Sequence, residues 1–327
     1  VLSIFRTNQL FLSVLLIFYA GILHVSQLFV PLQEVGPPAG VLSLYLWPLL
    51  TASVWLPPFI SLLLVFAQAW VANIYVHRHR LSSEMNLFPG LFLILAGSMA
   101  PAFLSLTTFH FANLFLLLSL NSLTKTYKTV NCADSIFNAG MWVGLAALFE
   151  PIYMWMFIPI VAGLSILRAR EIRERLMAIT GLLTPLLITG FIYQWYGQWD
   201  AFVSIQFSMA FQLVKSVQWP ATLSEITVLG LLLCTLLVVL LRYGRYRYKM
   251  VIDVQKKIDL VFWYLLAGGL SVLTAGDLQL FNWLIVLVPT GILLGLLFTY
   301  TSARIAESIH LVWMALVLFI QFLPIMQ

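Results

Sequence analysis

Apolar runs close to the length of a bilayer recur along the whole chain, with short basic clusters between them. Leu10–Val30, Trp47–Val76, Leu176–Trp195, Thr222–Leu241, Ile258–Thr274, Leu280–Tyr300 and Ile309–Pro324 each offer close to the roughly 20 apolar residues that one helical span needs. Two further regions are apolar but interrupted: Leu87–Leu123 at Pro101 and around Ser105–Thr108, and Ile136–Leu167 at Glu150-Pro151. A proline removes a donor and disfavours helix in the residue before it, so each region reads as a pair of short helices. Only 9% of the residues are charged, against roughly 25% in soluble domains. The expectation is an all-α fold, a polytopic transmembrane helical bundle of about 11 helices.

The basic clusters orient that bundle. With the N-terminus in the cytoplasm, every lysine and arginine except Lys215 falls in a loop or helix end on the cytoplasmic side, as the positive-inside rule requires. The net charge of +5 is therefore a matter of topology, and nucleic acid is excluded as a partner. Trp47, Trp55, Trp195, Trp199, Trp219 and Trp283 fall near span ends, where amphipathic rings favour the headgroup zone. Cys132 lies in an inside loop and Cys234 in a span, so no disulfide is expected.

The acids sort by side. Glu84, Asp134, Glu171, Glu174, Asp253, Asp259 and Glu307 share cytoplasmic loops or helix ends with basic residues, and read as their solvated partners. Glu34, Glu150, Asp200, Glu225 and Asp277 fall on the outer side, where Lys215 is the one basic residue. Carboxylates beside a membrane cost free energy unless they are hydrated, paired or bound to a cation, so some of them should line a wet cavity.

Glu34 follows the first span in a Gly/Pro-rich loop and is a candidate general base or ligand to a divalent cation. Glu150 sits at a hairpin turn. Asp277, in Thr-Ala-Gly-Asp-Leu-Gln, reads as a tight turn or helix cap. His24 and His110 fall near the outer boundary, and His110 is placed to face the same cavity as Glu34. Asn73, Asn113 and Asn282 read as helix-to-helix glue. The segment 197–220, with apolar residues interleaved among Gln206, Ser208, Gln212 and Lys215, reads as an amphipathic helix on the outer leaflet. The chain has no phosphate-cradling glycine loop, HExxH, paired Cys-x-x-Cys or nucleophile elbow, and no resident cofactor is expected beyond that divalent cation.

Phe88-Pro89-Gly90 through Pro101-Ala102-Phe103-Leu104-Ser105-Leu106 resembles the third and fourth helices of the C-type (GT-C) membrane glycosyltransferases. Phe137-Asn138-Ala139-Gly140-Met141-Trp142-Val143-Gly144-Leu145-Ala146-Ala147-Leu148-Phe149-Glu150-Pro151 is similar to their glycine-bearing helix, which ends in a polar turn. The opening Phe5-Arg6-Thr7-Asn8-Gln9 and the region from His79-Arg80-Leu81 to Pro89-Gly90 also resemble an uncharacterised family of bacterial inner-membrane proteins. The glycosyltransferase likeness covers residues 10–195, leaving 196–221 as an outer amphipathic loop and 222–327 as C-terminal helices of one transmembrane domain. It implies a polyprenyl-phosphate-linked sugar, transfer at the outer face, Glu34 as the acidic base and His110 as the polar position opening the fourth helix. Lys215 would hold the lipid phosphate, with Glu150 and Asp277 as further ligand-binding positions. The chain departs from that pattern with Gln33-Glu34 in place of an aspartate, and with one outer cation where the family supplies several.

Three functions therefore stand side by side. One is a non-catalytic envelope subunit or degenerate relative that kept the helices and binds membrane lipid or a membrane-protein partner. Another is an active transferase. The third is a secondary transporter, which would need a mid-membrane polar residue such as Gln68 or Asn113.

Overall fold

The structure, a computed structural model, describes residues 2–6, 10–29, 38–168, 171–208, 210–217, 222–248 and 250–326. Among these residues the chain forms α1 (Leu10–His24), α2 (Val41–Leu50), α3 (Leu56–Arg78), α4 (Phe88–Gly97), α5 (Pro101–Leu104), α6 (Thr108–Thr124), α7 (Ala133–Phe149), α8 (Phe157–Leu167), α9 (Ile172–Trp195), α10 (Trp199–Val203), α11 (Leu223–Leu241), α12 (Tyr243–Arg247), α13 (Ile252–Ser271), α14 (Leu287–Thr299) and α15 (Ala303–Met326). Short 3-10 segments precede α8 and α14, at Pro151–Met156 and Leu280–Val286. Six helices are long and apolar enough to cross a membrane. Shorter apolar helices accompany them, among them α1, α2, α4, α7 and α8.

Burial is distributed as it must be when lipid is the solvent. All of α4 and all of α14 are buried, whereas α9 turns Leu176, Leu187, Phe191 and Trp195 outward. So large an apolar exterior marks a surface that meets something other than water. Inside, small residues let helix backbones approach. A Cβ on Gly140 of α7 would lie 2.1 Å from the Ala178 carbonyl oxygen of α9, and one on Gly181 of α9 would lie 2.1 Å from that of Phe137. On α14, Gly291 and Gly295 seat the backbone of α4 at Leu93 and Pro89 in the same way.

Buried polar groups close the gaps where helices break. Asn73 of α3 accepts from the Gly90 N–H (2.8 Å), and Asn113 of α6 donates to the Leu284 carbonyl (2.9 Å) and accepts from the Tyr153 hydroxyl (2.7 Å). Both serve as the expected glue between elements, while Asn282 donates locally to the Asp277 carbonyl. Gln321 of α15 donates to the Ser98 carbonyl just past α4 and accepts from Ser26, supplying partners that a helix ending amid apolar packing needs. We expect Asn113→Ala to cost about 1 kcal/mol, in line with interhelical hydrogen bonds in membranes, read as a lowered unfolding temperature in detergent.

The loops sort to two ends. Arg6 pairs with Glu84 (3.8 Å), Lys257 reaches the His79 carbonyl (3.4 Å), and His79 bonds Asn121 (3.0 Å). Arg168 bonds Glu174, Thr126 and Thr129, and Arg245 bonds the Tyr300 carbonyl. These contacts gather the basic loops into one basic end. Glu150, Asp277 and the loops around Ala39 and Gln212 meet at the other, the acid end.

Three expectations are corrected. Trp47–Val76 is not one helix: Trp47 belongs to α2, and α3 starts at Leu56 with Pro57 and Pro58 in its first turn, where a missing N–H costs nothing. The segment 197–220 is not one amphipathic helix. It forms α10, a π-turn at Ser204–Ser208 and a strand β1 (Gln212–Val217). Asp277 lies neither in a tight turn nor at a helix cap but in β2 (Ala275–Leu278), which pairs parallel with β1. A parallel pair needs a long crossover, which α11 and α13 supply by leaving the acid end and returning to it.

Candidate functional site at the acid end

Glu150 is where it is because Pro151 stops α7. Its backbone is extended (φ −143°, ψ 106°), and its N–H still completes the last helical bond to Ala146. The N-terminus of α6 meets it there, and the Thr108 hydroxyl donates to Oε2 at 2.5 Å. The α2 segment is clamped against the same turn. A Cβ on Gly40 would lie 2.3 Å from the Leu148 carbonyl oxygen and 2.4 Å from that of Phe149.

Asp277 comes from the opposite side. Gly276 takes a left-handed φ of +74°, which suits a residue without Cβ, and puts Asp277 in register with Ser216. The Ser216 hydroxyl donates to Asp277 Oδ1 at 2.5 Å. The segment leading to β1 is held by Gln206, which donates to the Ala147 carbonyl (2.6 Å), and by Trp155, whose indole donates to the Ala210 carbonyl (2.9 Å).

Between these elements lies a cavity of about 270 Å³. Glu150 and Asp277 line it together with the carboxamides of Gln212, Gln279 and Asn282, the hydroxyl residues Thr107 and Thr108, and Trp47. No lysine, arginine or histidine is among its lining residues. Glu150 lies in the turn beyond both helices. Burial pushes its carboxyl up to about 7 from an ordinary 4.5, and the Thr108 hydroxyl opposes that only in part. A carboxyl held near neutrality in a cleft can take up or release a proton around pH 7.

Of the sequence candidates, Glu150 and Asp277 are brought together. Glu34 lies outside the described residues, and Ala39, five positions later, lines the cavity. His110 does not line it. Its Nδ1 turns back to the Thr107 hydroxyl (2.8 Å) and backbone N–H (3.3 Å), capping α6 and holding Thr107, which does line it. His24 lines a separate apolar cleft of about 550 Å³ with Trp55 and Phe59. Lys215 is exposed on β1 and is not among the residues lining the cavity. No group of three or more His, Cys, Asp or Glu able to hold a metal occurs among the described residues, so a divalent cation there would have Glu150 and Asp277 as its described carboxylates.

Sequence reasoning passed over Gln212 and Gln279 as ligand groups and read Asn282 as glue and Trp47 as a membrane anchor. The signal was present as a concentration of carboxamides in the loops that also hold the outer-side acids. No protein-family model, curated protein or solved structure matches the chain.

Proposed function

We propose that this chain crosses the bacterial cytoplasmic membrane with eleven helices and a cytoplasmic N-terminus, and that its acid-end cavity holds the sugar of a polyprenyl-phosphate-linked donor for transfer at the outer face. The gathering of basic loops at one end supports the orientation. The single observation carrying the function is the half-buried Glu150, poised near neutral pH and sharing a cavity with Asp277 and three carboxamides. Sugars present hydroxyls that both donate and accept, which carboxylates and carboxamides match, and the Trp47 ring suits their apolar faces.

In the reaction, the oxygen of an acceptor hydroxyl bonds the anomeric carbon while the bond from that carbon to the phosphate oxygen breaks. The polyprenyl phosphate leaves with the bonding pair, and the acceptor's proton passes to the Glu150 carboxylate. A second reading, a non-catalytic envelope subunit of GT-C-like architecture that only binds the glycan, is favoured by the lack of a cation among the cavity's lining residues.

The test is single-turnover transfer in proteoliposomes from a panel of polyprenyl-phosphate sugars. Glycan binding with turnover is expected, and binding without turnover gives the subunit reading. Binding of no sugar by the wild type would sink both. Glu34→Gln is the companion variant: if it abolishes transfer and Glu150→Gln does not, the base is Glu34.

A further inference from the structure

At the basic end, α1 and α3 enclose a second cavity of about 350 Å³ with mixed walls, apolar at Leu16, Leu87, Trp70 and Ile74 and polar at Ser13, Asn73, His77 and Arg78. We propose that it binds an anionic phospholipid of the surrounding bilayer, with the phosphate at Arg78 and the acyl chain along Ile74 and Trp70. This is independent of the acid-end site, and either can fail without the other.

Asn73 carries the argument. It is only 4% exposed, and its Oδ1 is fixed by the Gly90 N–H at 2.8 Å. That bond settles the orientation of the amide, so Nδ2 is the free end, and it has no hydrogen-bond partner. A buried donor left unpaired is costly; Nδ2 lies against Gly90 at the wall of this cavity, so an acceptor that reached it would complete its bonding. His77 adds an imidazole and Ser13 a hydroxyl, and no carboxylate is among the lining residues. Arg78 makes no hydrogen bond or ion pair among the described residues. The site therefore presents donors and positive charge, the chemistry that recognises a phosphate.

The other walls say that the phosphate belongs to a lipid. Trp70 and Ile74 are 39% and 46% exposed on the flank of the bundle, and they line up with Arg78 at helical spacing. From Arg78 to Trp70 the helix rises about 12 Å, the depth over which a lipid passes from headgroup to hydrocarbon. Basic pockets between helices on the cytoplasmic side recognise anionic headgroups in this way.

The experiment is native mass spectrometry of delipidated protein titrated with phosphatidylglycerol or phosphatidylcholine. Wild type should retain phosphatidylglycerol preferentially. Arg78→Gln should weaken that retention about fivefold, the effect of one charge near the membrane surface. Asn73→Asp keeps the acceptor for Gly90 while replacing the free donor with a negative oxygen, and should weaken it at least as much. Should that variant fail to fold, the exposed Arg78 decides alone. Arg304→Gln, at the same end but away from the cavity, should leave retention unchanged. Equal retention of the two lipids, an equal loss in Arg304→Gln, or displacement of the lipid by millimolar inorganic phosphate overturns the proposal.

Discussion

Gly140→Ile should drive α7 and α9 apart and cost the protein its folded state. The new side chain would begin 2.1 Å from the Ala178 carbonyl oxygen and 2.9 Å from the Leu182 nitrogen, and both are backbone atoms that no rotamer change can move. Overpacking of a core usually costs about 1–3 kcal/mol, and a backbone obstacle puts this case at or above the top of that range. The neighbouring contacts cannot relax independently, because Gly144 lies against the Leu182 carbonyl and Gly181 against Phe137. Gly230→Ala and Gly269→Ala are the controls. Nothing lies within 4 Å of a Cβ at either position, and alanine in a helix should leave stability unchanged or raise it by about 0.5–1 kcal/mol. Size-exclusion profiles and melting curves in detergent read the difference. A monodisperse Gly140→Ile protein melting with the wild type would mean that α7 and α9 do not pack this way, and Glu150, at the end of α7, would lose its place.

What the sequence disclosed and what it hid follow from the range of the interactions involved. Glu150-Pro151 ends a helix through backbone chemistry confined to two residues, so both the break and the polar turn could be read directly. The basic clusters likewise needed only their neighbours. The division between α2 and α3 escaped because hydropathy is continuous through Val54, Trp55 and Leu56, and Pro57-Pro58 is compatible with a helix start as well as with a kink. The pairing of Gln212 with Ala275 and of Ser216 with Asp277 joins segments separated by α11, α12 and α13, and no local pattern specifies a parallel partner so distant. The cavity inherits that difficulty, since its walls come from α2, α6, α7, β1 and β2. His110 illustrates the converse. Its place at the mouth of α6 was legible, but its side chain is taken up by Thr107 three residues away, and position alone does not reveal which way a ring turns.

Glu150→Gln is expected to lower sugar transfer by about 10²–10⁴-fold, the usual contribution of a positioned general acid or base, without unfolding the protein. The carboxamide oxygen can still accept from the Thr108 hydroxyl, so the join between α6 and α7 survives. The pH dependence separates a chemical role from a structural one, because the two have opposite signs. As a base, Glu150 works ionised, and wild-type transfer should rise through about pH 7. Stability should run the other way. The folded protein keeps a proton on Glu150 up to about 7, whereas the unfolded chain releases it near the ordinary 4.5. The unfolded state therefore binds fewer protons between those values, and stability falls as pH rises through that window and is level above it. Glu150→Gln should remove this segment of the melting-temperature profile together with the rise in activity. Thr108→Val removes the hydroxyl that favours the ionised carboxylate and should move the activity limb to higher pH, which a residue that merely fills the turn could not do. If Glu150→Gln transfers sugar at the wild-type rate with the wild-type pH profile, Glu150 is not the proton acceptor, and the cavity's claim to the chemistry goes with it.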